Sequence, residues 1–211
     1  MDTNKKLKLC GMFRECDIAY ANEAKPDYIG FVFWEKSKRY VTPDEAFKLK
    51  QLLNSEIQAV GVVVDVTIPF LVDLCKRDII SLIQLHGKED KAYILQLKEA
   101  LMRQELDIPI IKAVRVENSV DALEADKLPV DYLLLDAPSK KTVGGSGESF
   151  DWIKIPHLKH PFFLAGGIDI NNVGKAMLTN AYAIDTSSGV ETDGVKDKEK
   201  MLEMANAVRK Q

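Results

Sequence analysis

The chain has 211 residues, 46% of them hydrophobic, and a formal net charge of −3. That length suits one domain able to bury a core without staples, and a mildly acidic chain with no basic stripe or arginine cluster is not expected to bind nucleic acid. No run approaches the ~20 apolar residues of a membrane span. The start Met1-Asp2-Thr3-Asn4 is polar, and three cysteines without metal-like spacing fit a reducing compartment, so a soluble chain in the cytoplasm, off the membrane, is the expectation.

Leu7-Lys8-Leu9-Cys10-Gly11 reads as a short strand ending in a thiol, and Arg14 to Ala24 as the first helix. Tyr28 to Phe33 is a second strand, followed by the polar loop Glu35-Lys36-Ser37-Lys38-Arg39. Thr42 then caps a helix with Pro43 in its first position and acids in its first turn. Ala59 to Asp65 is strand three, with Thr67 to Arg77 helical behind it, and Leu82 to Gly87 is strand four. Lys88 to Arg103 shows Ile94, Leu97 and Leu101 at helical spacing. Pro109 to Val116 is strand five, Ser119 to Ala125 a short helix, and Tyr132 to Asp136 strand six, ending in a carboxylate. Beyond the glycine-rich loop Gly144 to Gly147 come strands at Phe162 to Ile168 and from Ala183, with Asn171 to Leu178 and Asp197 to Arg209 helical.

Eight strand–helix units of roughly 20–30 residues each predict a parallel α/β fold. Periodicity alone leaves an open doubly wound sheet in play. The number of units and the last two strand ends favour a single-domain (β/α)8 TIM barrel over residues 1–211. Both runs, Phe162-Phe163-Leu164-Ala165-Gly166-Gly167 and Ala183-Ile184-Asp185-Thr186-Ser187-Ser188-Gly189, stop in small residues. Backbone N–H groups at such turns form a ready anion site, and in barrels the loops after strands seven and eight are where phosphate binds.

Function in a barrel collects at the carboxyl ends of its strands. Those positions are Cys10, Arg39, Asp65, His86, Arg115, Asp136, Gly166-Gly167 and Ser187-Ser188-Gly189. A free thiol of pKa about 8.5 is only a few per cent thiolate at neutral pH, so Cys10 as a base requires positive charge nearby. Cys16 and Cys75 fall inside predicted helices and suit the core. Asp136 follows an apolar run, which disfavours its ionised form and fits a general acid. The planar fork of Arg39 matches a substrate carboxylate. His86 is divided between a ligand contact and a structural hydrogen bond. Asp65 and Arg115 stay undecided between substrate and neighbouring side chains. Acids and histidines do not cluster, so no metal is expected.

Several blocks occur in one order over almost the whole chain: Lys8-Leu9-Cys10-Gly11, Gly30-Phe31-Val32-Phe33 with Ser37-Lys38-Arg39-Tyr40-Val41, Gln84-Leu85-His86-Gly87, Leu135-Asp136, Gly144-Gly145-Ser146-Gly147 with Phe150-Asp151-Trp152, Leu164-Ala165-Gly166-Gly167-Ile168 and Ser187-Ser188-Gly189-Val190-Glu191. Together they resemble the signature of the phosphoribosylanthranilate isomerases of tryptophan biosynthesis. The resemblance implies a (β/α)8 barrel and a cofactor-free Amadori rearrangement of a phosphosugar. Asp136 would be the general acid and Cys10 the general base. Arg39 would hold the anthranilate carboxylate, with His86 beside the substrate, and Gly166, Gly167, Ser187, Ser188 and Gly189 would hold the phosphate. Leu9, Phe13 and Asp65 depart from the family's pattern, and the charge of Asp65 is out of place beside an anionic substrate. A weak association with other tryptophan-pathway enzymes stays open. The rival readings are a histidine-pathway type of phosphosugar isomerase, which uses aspartate as its base, and a phosphosugar-binding barrel without catalysis, which would require neither Cys10 nor Asp136.

Overall fold

The computed structural model describes residues 5–136 and 151–209; the Gly144 to Gly147 loop lies outside them. Strands β1 (Lys6–Cys10), β2 (Tyr28–Val32), β3 (Gln58–Val63), β4 (Leu82–Leu85), β5 (Ile110–Arg115), β6 (Tyr132–Asp136), β7 (Phe162–Ala165) and β8 (Ala183–Thr186) are joined in sequence order into a closed barrel, β8 returning to β1. Every pairing around it is parallel. Helices α1 (Glu15–Ala24), α2 (Pro43–Gln51), α3 (Ile68–Lys76), α4 (Lys91–Met102), α5 (Ser119–Ala125), α6 (Val173–Met177) and α7 (Lys198–Arg209) follow the strands. Among the described residues the β6–β7 connection holds only a single 3-10 turn, Trp152–Lys154.

Local chemistry accounts for the helix starts. At α2 the Thr42 hydroxyl accepts the Glu45 N–H while the Glu45 carboxylate accepts the Thr42 N–H, which satisfies two orphan donors reciprocally. Asn118 and Asp121 do the same at α5. Several elements are shorter than expected, among them α3, α4, β4 and β7. Helix α6 is shorter at both ends than Asn171 to Leu178. A short antiparallel pair, β9 (Glu191–Thr192) with β10 (Val195–Lys196), follows β8 where no strand was predicted, because two-residue strands carry no periodicity.

The pleat sorts each strand into two faces. Leu7, Leu9, Ile83, Leu85, Leu133, Leu135 and Ile184 point outward and pack with the helices. The interior takes the alternate residues: Tyr28, Val60, Leu82, Ile111, Leu134, Phe163 and Ala183 form its apolar fill. Phe163 sits edge-on to Tyr28 and Tyr182, with ring centroids at 5.3 and 5.7 Å, and the two tyrosine hydroxyls share a hydrogen bond of 2.8 Å. That aromatic plug fills the amino-terminal end of the barrel, leaving the carboxyl end to open. No helix among the described residues is long and apolar enough to cross a membrane.

Phe163 is fully buried, so Phe163→Ala should cost about 3–5 kcal/mol. In thermal denaturation this is a fall in Tm on the order of 10 °C.

Candidate active site

A cavity of about 490 Å³ lies at the carboxyl ends of the strands, and Cys10, Arg39, His86, Asp136, Gly166, Gly167, Ser187 and Ser188 all line it. The next inward positions below them, Gln84 and Asp185, form part of its floor, and Trp34 its rim.

Cys10 is the last residue of β1 and stands in register with Gly30 of β2. A Cβ at position 30 would lie 2.7 Å from Cys10 Sγ, so the glycine is what leaves room for the thiol. Beneath Cys10, on the same face of the strand, Lys8 is fully buried and donates to Asp185 Oδ1 at 2.9 Å. Burial works against this ammonium, yet Asp185 and then Cys10 outweigh it and hold its pKa above the ordinary lysine value. The other thiols lie elsewhere. Cys16 is half-buried on α1, and Cys75 is buried on α3, where desolvation pushes its pKa up to about 12.

Asp136 ends β6, half-buried, with its inward neighbour Leu134 below it. His86 stands one step beyond β4. Its Nδ1 lies 2.9 Å from Gln84 Nε2; with the amide as donor, the neutral ring carries its proton on Nε2. Burial pulls the His86 pKa below the usual value, and nearby Asp136 opposes this only in part. Gln84 Oε1 is buried without a hydrogen-bond partner.

Arg39 reaches the cavity from the loop after β2, over Gly11, where an added Cβ would collide with Arg39 Cδ. Its Nε and Nη2 each donate to Glu191 at 2.6 Å. The turns after β7 and β8 are laced together: the Thr186 hydroxyl donates to the Ile168 carbonyl at 2.7 Å, and the Gly189 backbone rests against that carbonyl with no space for a Cβ. Gly166 and Gly167, with φ of 113° and 69°, supply the left-handed turn. Gly189 thus braces the turn from behind, while Ser187 and Ser188 face the cavity.

Two candidates are not in the site. Asp65, in a left-handed conformation just past β3, accepts the Lys88 N–H at 2.6 Å and donates its own N–H to Glu89. Its charge caps the turn below His86 and does not face the cavity. Arg115 is 72% exposed and lies 3.2 Å from Glu117. Among the described residues no cluster of histidine, cysteine and acids could hold a metal. Sequence reasoning missed Asp185, Lys196 and the part played by Glu191. The only signal was position, since Asp185 and Glu191 flank the Ser-Ser-Gly turn already singled out.

These features define a (β/α)8-barrel protein whose site lies at the carboxyl-terminal mouth, with a thiol and a carboxylic acid opening on one cavity. The family model of N-(5'-phosphoribosyl)anthranilate isomerase matches residues 7–207. The N-(5'-phosphoribosyl)anthranilate isomerase of Endomicrobium trichonymphae is 43% identical over 205 residues, which is 97% of this chain and 98% of that relative. Among solved structures, the phosphoribosyl anthranilate isomerase of Thermotoga maritima superposes with a TM-score of 0.82 at 31% identity, covering 98% of this chain and 100% of that one. Another, solved with reduced 1-(o-carboxyphenylamino)-1-deoxyribulose 5-phosphate, gives a TM-score of 0.77 at 27% identity over 98% of this chain and all (100%) of its own. The chain belongs to the phosphoribosylanthranilate isomerase family.

Two outcomes are expected. Gly30→Ala should displace the thiol and lower kcat/KM by at least tenfold while the thermal midpoint moves by only a few degrees, checked by kinetics beside calorimetry. In an NMR titration, His86 should protonate below the ordinary 6.5. The native ring resists a proton that the unfolded chain accepts near that pH, so His86 costs stability as the pH falls through it.

Proposed function

We propose that this chain converts N-(5'-phosphoribosyl)anthranilate to 1-(2-carboxyphenylamino)-1-deoxyribulose 5-phosphate, the third step of tryptophan biosynthesis from chorismate, with Asp136 as general acid and Cys10 as general base. The observation that carries the assignment is that these two groups end β6 and β1 and open on one cavity large enough for a phosphosugar.

Asp136 gives its proton to the furanose ring oxygen as the C1′–O bond breaks, and the lone pair of the anilinic nitrogen forms the C1′=N bond of a Schiff base. The Cys10 thiolate then takes the C2′ proton, and the released pair neutralises the iminium to give an enolamine. Tautomerisation, with protonation at C1′, leaves the C2′ ketone. Every step is a proton transfer or a bond change within the substrate, so the chemistry calls for no cofactor. General acid and base groups each contribute about 10²–10⁴-fold. Backbone N–H groups of Gly166-Gly167 and Ser187-Ser188, in the turn that Gly189 braces, support a phosphate dianion at the end of two strands. Arg39 supports the anthranilate carboxylate. Neutral His86, with Nε2–H as donor, supports a sugar oxygen. Three unpaired thiols suit a cytoplasmic setting.

The test follows the decay of anthranilate-type fluorescence of freshly made substrate. Rapid decay with the native chain, slowed by at least 10²-fold in both Cys10→Ser and Asp136→Asn, is expected. No acceleration by the native chain, with the phosphosugar still bound, would leave a binding barrel instead.

A further inference from the structure

Arg39 reaches the cavity already forked on a carboxylate. Its Nε and Nη2 donate to both oxygens of Glu191 at 2.6 Å, and the Glu191 side chain is only 5% exposed. Glu191 Oε1 also accepts from Lys196 Nζ at 2.6 Å, and that ammonium is fully buried. The two residues face each other across the β9–β10 pair. Lys196 Nζ donates in addition to the Ser187 carbonyl at 2.9 Å, so one lysine ties Glu191 to the turn after β8.

Burial alone would push Glu191 toward its neutral form. The bonds from Arg39 and Lys196 overcome this and hold its pKa below the usual glutamate value. The carboxylate therefore stays charged and keeps its grip on the guanidinium. A guanidinium has five N–H groups in a rigid fork. Glu191 occupies two of them, on the Nε edge, and the other three have no hydrogen-bond partner among the described residues. Gly11 lies beneath Arg39 and Glu191 along one edge, which restricts its orientation, and the unoccupied edge is free to bond a ligand in the cavity that Arg39 lines.

We propose that Glu191, braced by Lys196, is a positioning residue that orients Arg39 to receive the carboxylate of the substrate. The proposal rests on the isomerase reading for the identity of that carboxylate. Glu191 does not touch the ligand; it acts by removing the rotational freedom of the arginine before binding, so that less is lost when the second fork closes. Replacing it with glutamine does not simply add a positive charge to the site. Burial already lowers the pKa of Lys196, and Glu191 and then Cys10 oppose that, so loss of the carboxylate weakens the hold of the lysine on its proton.

The experiment is calorimetric binding of two stable ligands: reduced 1-(2-carboxyphenylamino)-1-deoxyribulose 5-phosphate and the same molecule without its carboxylate. The native chain should prefer the carboxylated ligand by about 10–100-fold, the range of a charged hydrogen-bonded pair. Glu191→Gln should cut that preference at least tenfold while binding the other ligand within threefold of the native chain. In an Arg39→Met background, Glu191→Gln should have no further effect on the preference. Glu191→Asp, which keeps the charge but shortens the reach, should fall between and serves if the glutamine variant does not fold. Equal weakening of both ligands would mean a merely structural role, and an unchanged preference would mean none; either overturns the proposal. Tighter binding of the carboxylated ligand would show that Glu191 competes for Arg39, which also overturns it. Affinity is read here independently of turnover. A native chain that shows this pattern but does not isomerise loses the catalytic reading alone, and one that isomerises with an indifferent Glu191 loses this proposal alone.

Discussion

Parallel strands closed into a barrel must place every second residue inside a space that side chains have to fill, and the rest of the structure depends on that constraint. The interior is largely apolar where water cannot reach, so Val60, Ile111 and Leu134 occupy it, with Phe163 and the tyrosines at its amino-terminal end. Only at the carboxyl end can the inward positions be polar without a large desolvation penalty. Cys10, Asp136 and Ser187 stand there because each is an inward position one step beyond the last packed layer.

The exceptions lie just below. Lys8 and Asp185 form a buried pair inside the barrel. Such a pair is weak evidence for stability, because desolvation of two charges commonly cancels their attraction. Its placement directly under Cys10 sets the floor of the cavity, which Asp185 lines. A second buried lysine, Lys112, donates to Glu89 and to the Gly87 carbonyl and so fixes the turn that carries His86. The first pair lies inside the barrel and the second on the outer face of β5, between the inward residues Ile111 and Ala113.

The two loops that would take a phosphate illustrate a different economy. No side-chain charge is needed where backbone donors converge, but the loops must stay adjacent. Thr186 and Gly189 achieve this through the single carbonyl of Ile168. Lys196 extends the same scaffold to Glu191 and through it to Arg39, so the turn after β8 and the Arg39 fork are parts of one bonded unit and not separate patches.

Strand identity was legible from apolar runs, helix starts from caps such as Thr42-Pro43-Asp44-Glu45, and much of the lining of the candidate site from residues at strand ends, because these depend on near neighbours in the chain and on the two-residue period of the pleat. Cys10, Asp136 and the Gly166-Gly167 turn were found in that way, and motif order over the whole chain named the family. The count of units already favoured the barrel, but the register of its closure, the seating of the thiol against Gly30 and the fork between Arg39 and Glu191 were not legible, since they join residues distant in the chain, 152 positions apart in the case of the fork. The same holds for the candidates that fell away. Arg115 ends a strand and Asp65 lies just past one, much as the others do, and only the turn at Lys88 and the exposed face beside Glu117 decide that they point elsewhere. Sequence by itself determined which residues stand at the mouth, through periodicity. Tertiary structure alone decided which of them face one another, because long-range pairing depends on where closure brings distant strand ends.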